Sequence, residues 1–174
     1  TRNCGDGNYG GIAYANGVWN IVLGTNFGTN SGTGQHGILL STDNGLNFVG
    51  VDLFDPSADF YRSVSLSLYD IAFGNNTWVM VGINLAAQGN SQESTLTPFW
   101  YSYDGINWIN GGYDTEGNRM WVSRMYSLAF GNGRFTAGGD NNVLVSSEDG
   151  INWTNIPNGQ NSENNKTEWM NIAE

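Results

Sequence analysis

The chain has 174 residues, enough for one domain with a sizeable core, and its 16 Asp and Glu residues outnumber six Lys and Arg, giving a net charge of −10. This charge repels phosphate backbones and anionic lipid, so nucleic acid is excluded as a partner class, and no apolar run is long enough for membrane insertion. Cys4 is the only cysteine and His36 the only histidine, which excludes an internal disulfide, a zinc cluster and a His-based metal site, and no cofactor is expected.

A hairpin is the first predicted element along the chain. Its sequence, "GIAYANGVWNIVLG" at residues 11–24, contains a short apolar strand, a tight Asn-Gly turn and a second strand that closes on glycine. The same pattern returns as "DIAFGNNTWVMVG" at 70–82 and "SLAFGNGRFTAGG" at 127–139. A third strand and a second turn follow each hairpin, so the predicted unit is four antiparallel strands. The residues expected at equivalent second-strand positions are Trp19, Trp78 and Phe135.

These repeats predict the fold. The copies align at Ile12, Ile71 and Leu128, and Ile172 in the closing "WMNIAE" falls where a fourth copy begins. Units of four short strands at a period of roughly 40 to 50 residues are typical of β-propeller blades. We therefore predict an all-β fold, a single β-propeller segment of about three blades plus the first strand of a fourth. The expected blades span approximately residues 10–62, 63–122 and 123–165, and the next blade starts at 166–174.

The turn after each third strand carries a second repeated motif. "STDNGLNF" at 41–48, "SYDGINW" at 102–108 and "SEDGINW" at 147–153 share a serine, an aspartate, a glycine and an aromatic residue in the same order. The motif resembles the Asp box, or bacterial neuraminidase repeat, of sialidase-like β-propellers, and the resemblance covers nearly the whole chain. It implies structural turns between the third and fourth strands. The predicted box residues are Ser41, Asp43, Gly45, Phe48, Ser102, Asp104, Gly105, Trp108, Ser147, Asp149, Gly150 and Trp153.

Physical chemistry gives the box a structural role. The carboxylate can accept backbone N–H groups of the turn, the glycine permits a positive φ angle, and the aromatic ring can fold back to pack between sheets. A catalytic acid needs a cleft that perturbs its pKa, whereas a hairpin turn offers none. The three aspartates are therefore predicted to stabilise turns and not to catalyse a reaction.

Loop lengths indicate which end of the blades binds a ligand. In an up-and-down blade the turns between strands 1 and 2 and between strands 3 and 4 lie at one end, and here they are short. The other end carries the 2–3 loops and the links between blades, which are long, and long loops on a rigid scaffold commonly bind ligands. Aromatic faces beside polar groups suit sugar rings. The predicted ligand-binding residues of this long-loop face are Tyr61, Arg62, Tyr113, Asp114, Arg119 and Trp121.

Three functions remain open. The preferred one is a non-catalytic recognition or structural module that binds glycan or protein through its long-loop face. We expect it on an extracellular or virion surface, because a small share of charged residues, 13%, and 25 glycines are typical of such proteins. The second is a glycoside hydrolase, because resemblance to sialidases implies three arginines, a Tyr–Glu nucleophile pair and an aspartic acid. Those roles would fall to Arg62, Arg119, Arg124, Tyr61, Glu116 and Asp59. The third is a pure scaffold subunit of a particle or fibre.

Three blades also imply a partner. A closed ring of the usual four to eight blades needs more than three, and unclosed blades leave edges open to pairing. We therefore expect remaining propeller blades or sister subunits to complete the ring.

Overall fold

The computed structural model describes residues 9–23, 37–51, 66–84, 97–120, 122 and 124–157. Within these ranges it contains no α-helix, and one 3-10 turn lies at Asp140–Asn142. The twelve strands are β1 (Tyr9–Ala15), β2 (Val18–Leu23), β3 (Ile38–Ser41), β4 (Val49–Val51), β5 (Leu66–Gly74), β6 (Thr77–Asn84), β7 (Phe99–Ser102), β8 (Ile109–Asn110), β9 (Met125–Gly131), β10 (Arg134–Gly139), β11 (Leu144–Ser147) and β12 (Thr154–Asn155).

The strands form three antiparallel sheets of four, each in simple sequential order. The first sheet is β1-β2-β3-β4, the second β5-β6-β7-β8 and the third β9-β10-β11-β12. The first strands of successive sheets lie side by side, β1 against β5 and β5 against β9. The predicted all-β fold of four-stranded propeller blades is confirmed. The expected first strand of a fourth blade, at 166–174 with Ile172, lies outside the described residues.

Strand register repeats from sheet to sheet. In every sheet an aromatic residue of the second strand pairs with the serine that opens the box turn, so the predicted equivalence of the second-strand positions is confirmed. These pairs are Trp19–Ser41, Trp78–Ser102 and Phe135–Ser147.

Two apolar cores fill the seams between neighbouring sheets. Strand alternation sends one face of each sheet to the preceding sheet and the other face to the following one. Val22 and Ile38 of the first sheet thus meet Trp78 and Trp100 of the second, all four at most 2% exposed. A second core joins the second and third sheets around Phe99, Phe135, Val145 and Trp153. The buried side chains of each sheet therefore pack mainly against side chains of the neighbouring sheets.

Asparagine starts the tight turn of each hairpin. Asn16, Asn75 and Asn132 occupy equivalent positions with φ of 52°, 47° and 49°. Asparagine is among the few non-glycine residues that adopt this left-handed conformation readily, which the two-residue hairpin turn requires. These turns and the box turns lie at the same end of their sheets.

Candidate binding site

The second box turn shows how each box is built. The Ser102 hydroxyl donates to Asp104 Oδ1 at 2.9 Å and accepts the Gly105 N–H at 2.9 Å. Asp104 Oδ1 in turn accepts the backbone N–H groups of Ile106 and Asn107, both at 2.8 Å. Glycine at the turn has a φ of 74°. The first and third boxes repeat this network through Ser41, Asp43, Gly45, Ser147, Asp149 and Gly150.

An asparagine completes each box, and sequence reasoning missed it. Asn47, Asn107 and Asn152 each donate a side-chain N–H to the second carboxylate oxygen of the box aspartate, at 2.7, 2.7 and 2.8 Å. A signal was present, because "DNGLN", "DGIN" and "DGIN" all carry asparagine two residues after the glycine. Both oxygens of every box carboxylate are therefore occupied.

These hydrogen bonds fix the protonation state of the box acids. The side chains of Asn47 and Ser41, with the Asn47 backbone, lower the pKa of Asp43 to about 2. Partial burial raises the pKa of Asp104 and Asp149, but the backbone and side-chain donors around each carboxylate outweigh burial and hold both values below the usual range. A carboxylate that stays ionised and accepts hydrogen bonds from its own turn at both oxygens is poorly suited to proton transfer.

The box aromatics pack backward onto the preceding sheet. Trp153 of the third box is 1% exposed and its ring lies 4.6 Å from that of Phe99 in the second sheet. Trp108 of the second box packs against the core shared with the first sheet. Phe48 departs from the expected packing and is 38% exposed. Its box belongs to the first sheet, for which the described residues supply no preceding sheet.

Tyr113 connects the second and third sheets. Its N–H donates to the carbonyl of Ile151 at 3.0 Å, and the Trp153 N–H donates to the Tyr113 carbonyl at 2.7 Å. The link that leaves β8 is therefore hydrogen-bonded along the third box turn. Of the predicted long-loop residues, Tyr113 lies at this outer seam between sheets.

Asp114 closes a turn of its own within the link. Its Oδ1 accepts the N–H groups of Glu116 at 2.9 Å and Asn118 at 2.8 Å, and the Asn118 side chain donates to Oδ2 at 3.2 Å. The Asn118 backbone donor is the main cause of the lowered pKa of Asp114. The arrangement repeats the aspartate–asparagine clamp of the boxes, which gives Asp114 a local structural role.

Arg119 lies beside the same tyrosine. Its guanidinium carbon is 5.9 Å from the centre of the Tyr113 ring, within cation–π range, and Nη1 donates to Asn110 Oδ1 at 3.5 Å. The pairing of Tyr113 with Arg119 as a β-bridge brings the two side chains together. Tyr113, Asp114 and Arg119 are thus close neighbours within the link.

Two tyrosines of β7 and its box turn extend this group, and sequence reasoning missed both. The rings of Tyr101 and Tyr103 meet edge to face at 5.7 Å, and Tyr103 is 62% exposed. Partial burial raises the pKa of Tyr101, with smaller effects from nearby Tyr103, Tyr113 and Asp149. Their sequence signal is the "YSY" before the second box. We call Tyr101, Tyr103, Tyr113 and Arg119 the tyrosine shelf.

The other predicted ligand-binding residues cannot be placed on the shelf. Tyr61, Arg62 and Trp121 lie outside the described residues. Asp59, named for the hydrolase alternative, also lies there, and Glu116 is exposed on the link turn.

A second side-chain cluster, which was also not predicted from the sequence, joins the first strands of the second and third sheets, β5 and β9. The rings of Tyr69 and Tyr126 lie 5.3 Å apart, and the Tyr126 hydroxyl donates to Asp140 Oδ1 at 2.8 Å. Arg124 approaches Asp140 Oδ2 at 3.6 Å. Both tyrosines stand two residues before the aligned Ile71 and Leu128, a repeat that the sequence displays. Arg124 therefore has its acidic partner, Asp140, within this cluster.

Within the ranges that the structure describes, no group of three or more His, Cys, Asp or Glu side chains is placed to hold a metal ion. No helix in the described part of the chain is long and apolar enough to cross a bilayer.

Comparison with known proteins gives the fold and no family. No protein-family model matches the sequence, and no curated protein matches it. The structure resembles YCF48 from Cyanidioschyzon merolae, with a TM-score of 0.51 and 13% identity over 87% of this chain and 37% of that one. It also resembles a YCF48 structure bound to D1 peptide, with a TM-score of 0.50 and 16% identity over 89% of this chain and 42% of that one.

The chain has the architecture of part of a β-propeller. A third similar structure is the Bombyx mori GH32 beta-fructofuranosidase BmSUC1, with a TM-score of 0.45 and 12% identity over 85% of this chain and 34% of that one. The chain thus spans less than half the length of each of these three proteins.

Proposed function

We propose that the chain is a non-catalytic recognition module that binds a ligand on the tyrosine shelf. The observation that carries this proposal is the convergence of three tyrosines and Arg119 from β7, a box turn and a link, with Tyr103 left 62% exposed. Rigid aromatic rings on a hydrogen-bonded frame lose little entropy on binding. A shallow shelf of this kind suits recognition.

The state of the acids and arginines supports a non-catalytic role. Each box aspartate is ionised and surrounded by donors of its own turn, and Asp114 is held in the same way. Arg119 is held over Tyr113, whereas Arg124 faces Asp140 on the inner strands. The described residues thus offer neither the pair of unengaged acids that a two-carboxylate glycosidase uses nor the arginine cluster that the resemblance to sialidases implies.

A protein segment is the ligand class that we favour. Tyrosine and arginine are enriched among the residues that dominate protein–protein binding energy. One of the similar structures is YCF48 bound to D1 peptide, so a protein of similar fold has a peptide as its ligand. A glycan is the second class, because an open tyrosine face also matches the C–H face of a sugar ring.

The experiment begins with peptide and glycan arrays probed with the whole chain. The best ligand is then titrated against Tyr103→Ser and Arg119→Gln, each expected to weaken affinity about tenfold or more, as for residues that dominate an interface. Tyr9→Ser is the matched control, because Tyr9 is 64% exposed and lies on β1, outside the shelf.

Several results would contradict the proposal. Affinity that is unchanged in both shelf variants would place the site elsewhere, such as on the long loops outside the described residues. Turnover of sialosides or other oligosaccharides would favour the hydrolase, and absence of any ligand would favour a scaffold role on a surface or virion.

A further inference from the structure

The third sheet carries a shallow depression at Gly138. Its volume is about 520 Å³, and its lining includes Tyr126, Ser127, Gly138 and Leu144. Strand alternation sends Ala137 and Val145 into the core shared with the second sheet, so their neighbours Gly138 and Leu144 lie on the opposite side of the third sheet. No further sheet lies on that side among the described residues. We call it the open side of the third sheet.

The equivalent position is covered in the first two sheets. Gly138 pairs with Leu144 across β10 and β11, and the equivalent cross-strand pairs are Val22–Ile38 in the first sheet and Val81–Phe99 in the second. All four of these equivalent residues are 0% exposed. The position at Gly138 is therefore one that this fold buries.

The cover is in both cases the first strand of the next sheet. Two of its residues, three positions apart, enter the core of the seam. They are Leu68 and Ile71 of β5 in the first seam, between the first and second sheets, and Met125 and Leu128 of β9 in the second seam. A strand with the same pattern would cover the open side of the third sheet.

This strand pattern occurs once more in the sequence, in "EWMNIAE" at 168–174. Ile172 aligns with Ile71 and Leu128, and alanine follows in all three copies. Three residues earlier, where the second and third sheets have leucine and methionine, this copy has Trp169. Chain length fits as well, because Ile71 follows the end of β4 by 20 residues, Leu128 follows the end of β8 by 18, and Ile172 follows the end of β12 by 17.

Side-chain sizes at the depression complement Trp169. The first seam combines Val22 with Leu68 at these two positions, and the second combines a valine with a methionine. The third sheet has Gly138 where the other two have valine, and the segment has tryptophan where the other two have leucine and methionine. Interiors are packed to a nearly constant density, so a larger side chain needs a smaller neighbour.

The third sheet itself does not require glycine at position 138. Among the described residues, a Cβ there would meet only the Ser127 hydroxyl at 3.2 Å and Leu144 at 4.0 Å. The hydroxyl can rotate, and 4.0 Å is an ordinary van der Waals contact. The missing side chain of Gly138 is therefore explained by what packs on the open side, and not by its own strands.

A polar contact across the second seam has a counterpart at the depression. Asp70 Oδ2 accepts the Leu128 N–H at 2.8 Å and so joins β5 to β9. Ser127 occupies the position of Asp70 in the third sheet and lines the depression. Its hydroxyl can accept the N–H of Ile172 in the same way.

We infer that residues 169–173 of this chain bind the open side of the third sheet as the first strand of a further blade, with Trp169 in the depression at Gly138. Ile172 packs beside β9, as Leu128 packs beside β5. The inference rests on the two internal seams and does not depend on the proposed ligand.

Fluorine NMR of the whole 174-residue chain, labelled with 5-fluorotryptophan, tests the burial of Trp169. The chain has seven tryptophans, and Trp169→Phe assigns the resonance of interest. A ring packed in the depression should show little change in chemical shift between H₂O and D₂O, and Gly138→Val should move its resonance. Tyr103→Ser is the control and should leave the resonance unchanged. A Trp169 resonance that responds to solvent like free fluorotryptophan overturns the inference.

A pair of substitutions tests the contact itself. Gly138→Val with Trp169→Leu recreates the valine–leucine combination of the first seam. Each single variant should lower the midpoint of chemical denaturation, because the first overfills the depression and the second leaves part of it empty. The double variant should recover roughly half or more of the summed loss, since residues in contact are coupled.

The matched control combines Trp169→Leu with Tyr103→Ser, whose effects should add because Tyr103 lies on the tyrosine shelf. Circular dichroism verifies that each variant folds, and Gly138→Ala replaces Gly138→Val if the latter does not. Additive losses at Gly138 and Trp169, or a variant at Gly138 that is as stable as the unmodified chain, overturn the inference.

Discussion

The ring of Phe130 in the third sheet occupies the space that a side chain at Gly74 in the second sheet would need. A Cβ at Gly74 would lie 2.2 Å from ring atoms of Phe130, and contacts below 3.0 Å are essentially never observed. Two residues far apart in sequence thus decide how closely two sheets approach. The stability of the fold should be sensitive to a single methyl group at this seam.

Gly74→Ala should lower the free energy of unfolding by about 1–3 kcal/mol, because overpacking forces the Phe130 ring to move. Chemical denaturation of the purified variant measures this directly. The matched control is Gly131→Ala at the equivalent position, where no described atom lies within 4 Å. Equal losses in both variants would contradict the close packing at Gly74.

Asp149→Ala should lower the free energy of unfolding by about 1–2 kcal/mol, because four donors of the third box lose their acceptor. Ligand binding by the folded fraction should be retained. The measurement pairs chemical denaturation with titration of whichever ligand the arrays identify. Retained stability with lost binding would instead assign Asp149 to the binding site.

Stability should fall in acid because of the box carboxylates. The pKa of Asp43 is about 2 in the folded chain against an ordinary value of 3.8, so the unfolded chain binds more protons between these values. The stabilisation is complete above the ordinary value and is lost as pH falls through 3.8 towards 2. Denaturant midpoints measured from pH 6 down to pH 2.5 should show this slope, and Asp43→Asn should flatten it. An identical slope in the variant would contradict the argument.

Trp153→Ala should cost about 3–5 kcal/mol, since it removes a fully buried aromatic side chain from the seam with Phe99. Phe48→Ala changes the equivalent box residue of the first sheet, which is 38% exposed, and should cost less than about 1 kcal/mol. Thermal unfolding at low protein concentration compares the two. Comparable losses would show that Phe48 is packed as its counterparts are.

Asn20→Val should raise the free energy of unfolding by about 1–3 kcal/mol. Asn20 is fully buried in the first seam, and neither its side-chain oxygen nor its nitrogen has a hydrogen-bond partner among the described residues. The equivalent residue of the second sheet is the buried Val79. Denaturation of Asn20→Val and of Asn20→Asp, which should be less stable than the wild-type chain, tests this. A loss of stability in the valine variant would reveal a polar role for Asn20.

Features set by local chemistry could be predicted from the sequence. The hairpins follow from apolar alternation around an Asn turn, and the box turns from an aspartate placed before a glycine. The role of Asn107 was not predicted, although its sequence signal is equally local. The Asp-box motif, on which the interpretation of the turn was based, does not include this asparagine. The pattern was visible in "DGIN" twice.

Contacts between sheets could not be predicted in the same way. Tyr113 was expected on the long-loop face, yet its backbone pairs with Ile151, a residue of the next sheet whose position depends on the whole fold. Phe48 and Trp153 occupy equivalent motif positions but differ in burial, since only the second has a preceding sheet to pack on. The motif sequence thus determines the conformation of its own turn, whereas the neighbouring sheets determine how far its aromatic side chain is buried.

Each seam joins one side of a sheet to the opposite side of the next sheet, so both seams have the same direction along the chain. A contact between unlike surfaces does not by itself fix how many units assemble. The units close into a ring when the rotation between neighbours divides a full circle, and otherwise they continue as a helical polymer. The angle at each seam, set by contacts such as Phe130 on Gly74, therefore determines how many blades of this kind a closed ring holds. A substitution that changes this angle without breaking the seam should change the number of blades that close a ring.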